Sequence, residues 1–188
     1  MLKKTFKISY SILNAWANGK WEDAVSYYLG RDLPKTPEIE LGSLKHKLWG
    51  DYTYKTKKMH PEIGDEVLVE PITEQKYQKI IPFSSDYQIL LRGTPDLTDR
   101  HIIYEYKCGM TEPATYVDTL QLDYYKLLIP RLTLGIYKCH NPYTKETKTG
   151  IKFLGNYNAE NALEHIITFS GEMIDYLESN KSFKDYHV

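Results

Sequence analysis

The chain has 188 residues, 41% of them hydrophobic and 26% charged, and a formal net charge of -1. That length buries one good core but not two large ones, so a single domain over residues 1–188 is expected. The near-neutral charge excludes the global basic field of a nucleic-acid coat protein. No apolar run is long enough to span a bilayer, and two cysteines without Cys-x-x-Cys spacing exclude a disulfide framework. A reducing cytoplasm is the simplest setting, and no membrane association is expected.

Residues 1–60 read as a helical N-terminal part and 61–188 as a sheet core with flanking helices. Ser9 or Ser11 is placed to cap a helix through Trp16, which Gly19 breaks, and Glu22 to Leu29 reads as a second short helix ending at Gly30. After Pro34 and Pro37, Glu38 to Lys57 predicts a helix with Leu41, Leu44, Leu48 and Tyr52 at helical spacing and His46 on a different face. Lys45, Lys47, Lys55, Lys57 and Lys58, interleaved with Tyr52 and Tyr54, suit either a phosphate-tracking face or a solvated one.

Glu66 to Pro71 alternates as a strand with Glu70 at its far end, either beside a metal site or simply exposed. Lys79 to Phe83 and Tyr87 to Leu91 are further apolar runs around a turn at Ser84 to Asp86, so a continuous meander is expected. It leads into Leu90 to Gly109, which reads as two strands and a tight turn. In a strand alternate side chains share a face, so Glu105 and Lys107 point one way and Tyr106 the other, with Asp96 within reach from the preceding strand. Two carboxylates and an ammonium suit phosphodiester hydrolysis: hard oxygens hold a divalent metal, and the lysine orients water or stabilises developing charge.

Thr115 to Ile129 predicts a helix stopped by Pro130, with Gln121 and Tyr125 sharing a face at i and i+4, where they either position substrate or form an ordinary polar pair. Leu132 to Cys139 is a further strand, and a turn at Asn141 to Tyr143 leads to Ile151 to Leu154. Asn158 is placed to cap a long core helix whose face carries Ala162, Leu163, Ile166, Ile167, Met173, Ile174 and Leu177, followed by a short tail.

Pro95-Asp96 followed by Glu105-Tyr106-Lys107 resembles the motif of the PD-(D/E)xK nuclease superfamily. Gln121-Leu-Asp-Tyr-Tyr125 resembles the Gln-x-x-x-Tyr motif of its RecB-like exonuclease subgroup, and Gly42-Ser-Leu-Lys-His46 that subgroup's glycine-to-histidine motif. The segment from Ser9 to Gly30 is similar to the start of RecB-like domains, as a lid or a substrate contact.

The resemblance implies an α/β fold with a restriction-endonuclease-like αβββαβ core, a mixed central β-sheet flanked by helices. It implies a metal-dependent deoxyribonuclease, an exonuclease in DNA processing, repair or recombination. His46, Asp96 and Glu105 would hold Mg2+ or Mn2+ with the Tyr106 carbonyl. Lys107 would be catalytic with Asp96 and Glu105, and Gln121 and Tyr125 would bind substrate. Two cysteines cannot hold the iron-sulphur cluster that some relatives carry, so none is expected. DNA is the expected partner, and with no helicase motif in the chain any helicase or recombination partner would be separate. A structure-specific or restriction-type endonuclease, and a non-catalytic nucleic-acid-binding module, are the competing readings.

Overall fold

A computed structural model of the chain describes residues 3–31, 34–110, 112–117, 120–154 and 160–179. The elements of its first half are β1 (Lys4–Ser9), α1 (Tyr10–Ala17), α2 (Trp21–Tyr28), α3 (Pro37–Thr56), β2 (Pro71–Thr73), β3 (Tyr77–Pro82) and β4 (Tyr87–Gly93). Then come β5 (Leu97–Asp99), β6 (Ile102–Cys108), α4 (Pro113–Val117), α5 (Gln121–Leu128), β7 (Leu134–His140), β8 (Thr147–Phe153) and α6 (Glu160–Ser179). They form two compact units, one within residues 1–33, 78–93 and 158–188, the other within 34–77 and 94–157.

The first unit is organised by β1, a strand not expected from the sequence. Phe6 and Ile8 alternate with Lys and Thr, and both are buried. β1 pairs in parallel with β4, Phe6 opposite Ile89 and Ile8 opposite Leu91, and β3 lies on the other side of β4. Helices α1 and α2 follow the predicted boundaries closely, and Gly19 and Gly30 take the positive φ angles that end them. In α6, Ala162, Ile166, Phe169, Met173 and Ile174 are buried, while Ile167 is exposed. The Trp16 indole donates to Glu172 of α6, and the Tyr87 hydroxyl donates to Glu178. The expected cap Asn158 and the tail lie outside the described residues, as does the Leu177 side chain.

The second unit is a five-stranded sheet in the order β2-β5-β6-β7-β8. β5 and β6 are antiparallel, β6 and β7 parallel, and β7 and β8 antiparallel. The parallel step needs a crossover, which α4 and α5 supply. On one face Trp49 of α3, with Met59, Ile63 and Leu68, packs on Leu97, Tyr104, Tyr106 and Ile136. On the other face α5 comes so close that a Cβ on Gly135 would lie 2.5 Å from Leu122 Cδ1, which is why β7 carries a glycine there.

Four expectations change. The strand predicted over Glu66 to Pro71 forms only from Pro71, because the Val69 and Glu70 N–H groups donate to the Asp99 carboxylate and not to another strand. The continuous meander is divided: β3 and β4 belong to the sheet with β1, whereas β2, β5 and β6 belong to the five-stranded sheet. The chain leaves β4 at Gly93 and runs through Thr94, Pro95 and Asp96 before pairing resumes at Leu97; Pro95 has no N–H to donate to a ladder. The helix predicted over Thr115 to Ile129 is two helices. Gln121 to Tyr125 are all buried, so α5 is surrounded on all sides and does not present one apolar stripe.

The fourth concerns α3. Its buried positions are Trp49, Gly50 and Thr53, while Leu44 is 67% and Leu48 47% exposed. The indole settles the orientation: its area is the largest on the helix, and its Nε1 donates to Glu62 at 2.9 Å. Lys45 also binds Glu62, at 2.7 Å, which removes it from the expected phosphate-tracking set.

Candidate active site

β5 and β6 make a tight hairpin, with Leu97 opposite Tyr104, Thr98 opposite Ile103 and Asp99 opposite Ile102. Arg100 takes a left-handed conformation at the turn. Continuing this register back by one residue sets Asp96 opposite Glu105. The Asp96 N–H donates to Glu105 Oε1 at 3.4 Å, and the Tyr106 N–H donates to Asp96 Oδ2 at 2.7 Å. Asp96 lies outside the ladder, and its own carboxylate ties it to β6.

Alternation divides β6 as predicted. Tyr104 and Tyr106 enter the core beneath α3, and Glu105 and Lys107 turn to the α4 and α5 side. Glu105 is 3% exposed, yet polar groups surround it. Its Oε2 accepts a hydrogen bond from Gln121 Nε2 at 2.5 Å and lies 3.6 Å from Lys107 Nζ. Gln121 Oε1 accepts from the Tyr137 hydroxyl at 3.4 Å, and Tyr137 is the residue opposite Glu105 on β7. Burial first, and then the charge of Asp96, push the Glu105 carboxyl up to about 8 against the opposing pull of Lys107.

Lys107 Nζ stands 5.5 Å from the Tyr116 ring centroid and 5.8 Å from that of Tyr137, so two aromatic faces and one carboxylate surround the ammonium. His46 enters from α3, one turn before Trp49. Its Nδ1 is 3.3 Å from Asp96 Oδ1, and its ring meets Tyr106 edge-on at 6.2 Å. Tyr106 is 1% exposed, and burial raises its phenol.

Gln121 and Tyr125 share a face, as their spacing predicts, but both are buried and both reach protein groups. Gln121 braces Glu105, and the Tyr125 hydroxyl donates to the Thr94 carbonyl at 3.2 Å, steadying the turn before Asp96. Each thus already has a protein partner in this structure.

Glu70 is exposed, its backbone held by Asp99 at the hairpin's turn end. The acid that the register brings to the Asp96 end is Glu74, whose N–H donates to the Asp96 carbonyl at 3.3 Å. Sequence reasoning missed Glu74, Tyr116 and Tyr137, because each is placed by strand pairing and by crossovers that no local period reports.

Asp96 and Glu105 supply the hard oxygen donors that suit magnesium or manganese, and the His46 imidazole, a softer donor, adjoins Asp96. Among the described residues no three His, Cys, Asp or Glu side chains already close on one point. His46 and Asp96 adjoin, while the Glu105 carboxylate is drawn toward Gln121 and Lys107. Burial first and the charge of Asp96 second raise the Glu105 carboxyl, and a cation shared by the two carboxylates would offset their mutual repulsion.

These layers, with two mixed sheets flanked by helices, make a restriction-endonuclease-like α/β fold. Solved structures share it. The crystal structure of SSO0001 aligns with a TM-score of 0.58 at 15% identity, covering 94% of this chain and 79% of that one. LHK-Exo in complex with dAMP aligns with a TM-score of 0.50 at 13% identity, covering 92% of each chain. A second structure, of an alkaline exonuclease (LHK-Exo) from Laribacter hongkongensis, aligns with a TM-score of 0.49 at 12% identity over the same shares. No family model and no curated protein matches the sequence. Among the described residues no helix is long and apolar enough to cross a membrane.

Proposed function

We propose that the chain is a metal-dependent DNA nuclease of the PD-(D/E)xK type, and an exonuclease of the RecB-like subgroup. The observation that carries the reading is the Asp96–Glu105–Lys107 group: two carboxylates opposed by hairpin register, one of them buried, with a lysine 3.6 Å from it. A buried cluster of charged groups is a poor source of stability, and titratable groups perturbed by burial and by a neighbouring charge concentrate at functional sites. The likeness to LHK-Exo, bound to dAMP in its crystal structure, supports a deoxynucleotide as the substrate unit.

His46, Asp96 and Glu105, with the Tyr106 carbonyl, would hold Mg2+ or Mn2+. Such an ion, when bound, lowers the pKa of a coordinated water and neutralises phosphate charge. The chain's own residues do the rest. The Lys107 ammonium, fixed between Glu105, Tyr116 and Tyr137, stabilises the negative charge that builds on the phosphate oxygens as water attacks phosphorus. Gln121 and Tyr137 hold the Glu105 carboxylate in one orientation, and Tyr125 fixes the turn that presents Asp96.

The test is cleavage of end-labelled linear and closed circular DNA, single- and double-stranded, with magnesium, manganese or EDTA. Loss of linear substrate alone, in metal only, and a fall of about 10²- to 10³-fold in Lys107→Ala with a folded circular dichroism spectrum are the expected results. Cutting of circles would replace the exonuclease with an endonuclease. Binding without metal-dependent cleavage would leave a nucleic-acid-binding module.

A further inference from the structure

Beside Lys107, at the carboxyl end of β6, a cleft of about 340 Å3 opens between the first half of α3 and Tyr116 of α4. Ile39, Gly42, Ser43 and His46 line it from α3; these positions recur at helical spacing, so one face of the helix forms a whole wall. Gly42 is the informative residue. It sits inside a twenty-residue helix, where glycine is unfavourable by about 1 kcal/mol relative to alanine, and a Cβ built on it meets nothing within 4 Å. Packing therefore does not call for a glycine here, in contrast to Gly135, where Leu122 fills the space. What the missing side chain leaves is a flat backbone surface facing open volume. Tyr116 lines the same cleft from α4, its half-buried ring held 5.6 Å from Tyr137 and beside Lys107.

The lining combines one ammonium, Lys107 of β6, and one carboxylate, Glu38 of α3, with Ile39, Gly42, Ser43, Cys108 and Tyr116. A phosphate at Lys107 with a planar, uncharged group against Tyr116 and Gly42 matches that lining. We propose that the cleft is a nucleobase slot, which takes the base of the nucleotide whose phosphate lies at Lys107. This rests on the nuclease reading and adds a substrate class to it. A base within a duplex is paired and stacked and must leave the helix to enter, so the slot selects a single-stranded or frayed end.

The experiment compares binding of two single-stranded DNA oligonucleotides of equal length, one with normal bases and one with abasic residues at its terminal nucleotides. Calcium replaces magnesium so that affinity is read without turnover. The wild type is expected to prefer the base-bearing strand by about tenfold, the scale of one base–aromatic stack. Tyr116→Phe keeps the preference, while Tyr116→Ala and Gly42→Leu, which removes one wall and fills the space beside the other, abolish it. Equal affinity of the wild type for both strands overturns the slot, as does a preference undiminished in Tyr116→Ala and Gly42→Leu. If plain DNA is cleaved in magnesium while the two strands bind equally, the slot alone fails; if neither strand binds and no DNA is cut, the nuclease reading fails with it.

Discussion

Tyr106 and its neighbours Glu105 and Lys107 share one strand and one ladder, yet their side chains lie in opposite environments. Beneath α3, Tyr104 and Tyr106 join Trp49, Met59, Ile63, Leu68 and Leu97 in an apolar cluster. One residue away on the other face, a buried carboxylate is hydrogen-bonded to an amide, adjoins a lysine and lies opposite a second acid. The first face is ordered by area removed from water, the second by hydrogen bonds and charges that are unfavourable without their partners. The strand thus uses its packed face as a foundation that holds the charged face in register.

The largest effect should come from breaking the foundation. Trp49 is fully buried, and its indole donates to Glu62. Trp49→Ala should cost about 3–5 kcal/mol in urea unfolding, by loss of area and by the cavity left behind. A cost below about 1 kcal/mol would mean that the cluster beneath α3 is not what orders β6.

The charged face should respond differently. Gln121→Ala removes the donor to Glu105 and is expected to lower activity or metal affinity about 10- to 100-fold, the usual effect of losing a group that orients a ligand. The fold should persist by circular dichroism. Calorimetric titration with manganese would check it, and wild-type affinity in the variant would remove Gln121 from the site.

How far the two faces could be read from sequence follows from the range of the forces involved. The strand period is local, so Glu105 and Lys107 on one side and Tyr106 on the other were legible, as were the glycine-ended helices α1 and α2 and the restriction-endonuclease-like α/β class. Pairing across long separations was not: β1 finds β4 through partners such as Lys4 and Tyr87, and nothing local in KTFKIS names that partner. The orientation of α3 was misread because three leucines outnumber one tryptophan in a periodicity count, although the indole offers the larger area and a donor with a waiting acceptor. Gln121 was legible as a polar residue on a helix face; that its target is Glu105 became visible only with the crossover in place.

The two faces also carry carboxylates of opposite response to pH. Lys45, then Trp49, hold Glu62 down to about 2, below its ordinary 4.5. Its stabilising contribution is present above about 4.5 and is lost as pH falls toward 2. Glu105 is raised to about 8 by burial and by Asp96, so its contribution is present below 4.5 and is lost as pH rises toward 8. In EDTA the wild type should therefore lose melting temperature between pH 5 and pH 8 relative to Glu105→Gln, which cannot ionise, while the variant should be inactive. Parallel melting curves for the two proteins across that window would show that the Glu105 carboxylate is not destabilising in the metal-free fold.

The smallest effect probes the contrast from the side of the cleft. At Gly42 the backbone is helical and a Cβ meets nothing within 4 Å, so alanine introduces no clash and restricts the unfolded chain. Gly42→Ala should raise stability by about 0.5–1 kcal/mol in urea unfolding. Gly135→Ala should do the reverse, because its Cβ would press on Leu122 at 2.5 Å. The two substitutions are chemically identical and lie in the same unit, so opposite signs would separate a glycine kept for packing from one that packing does not require. A destabilised Gly42→Ala would mean that α3 needs the glycine for its own structure, and the open space beside it would no longer single that position out.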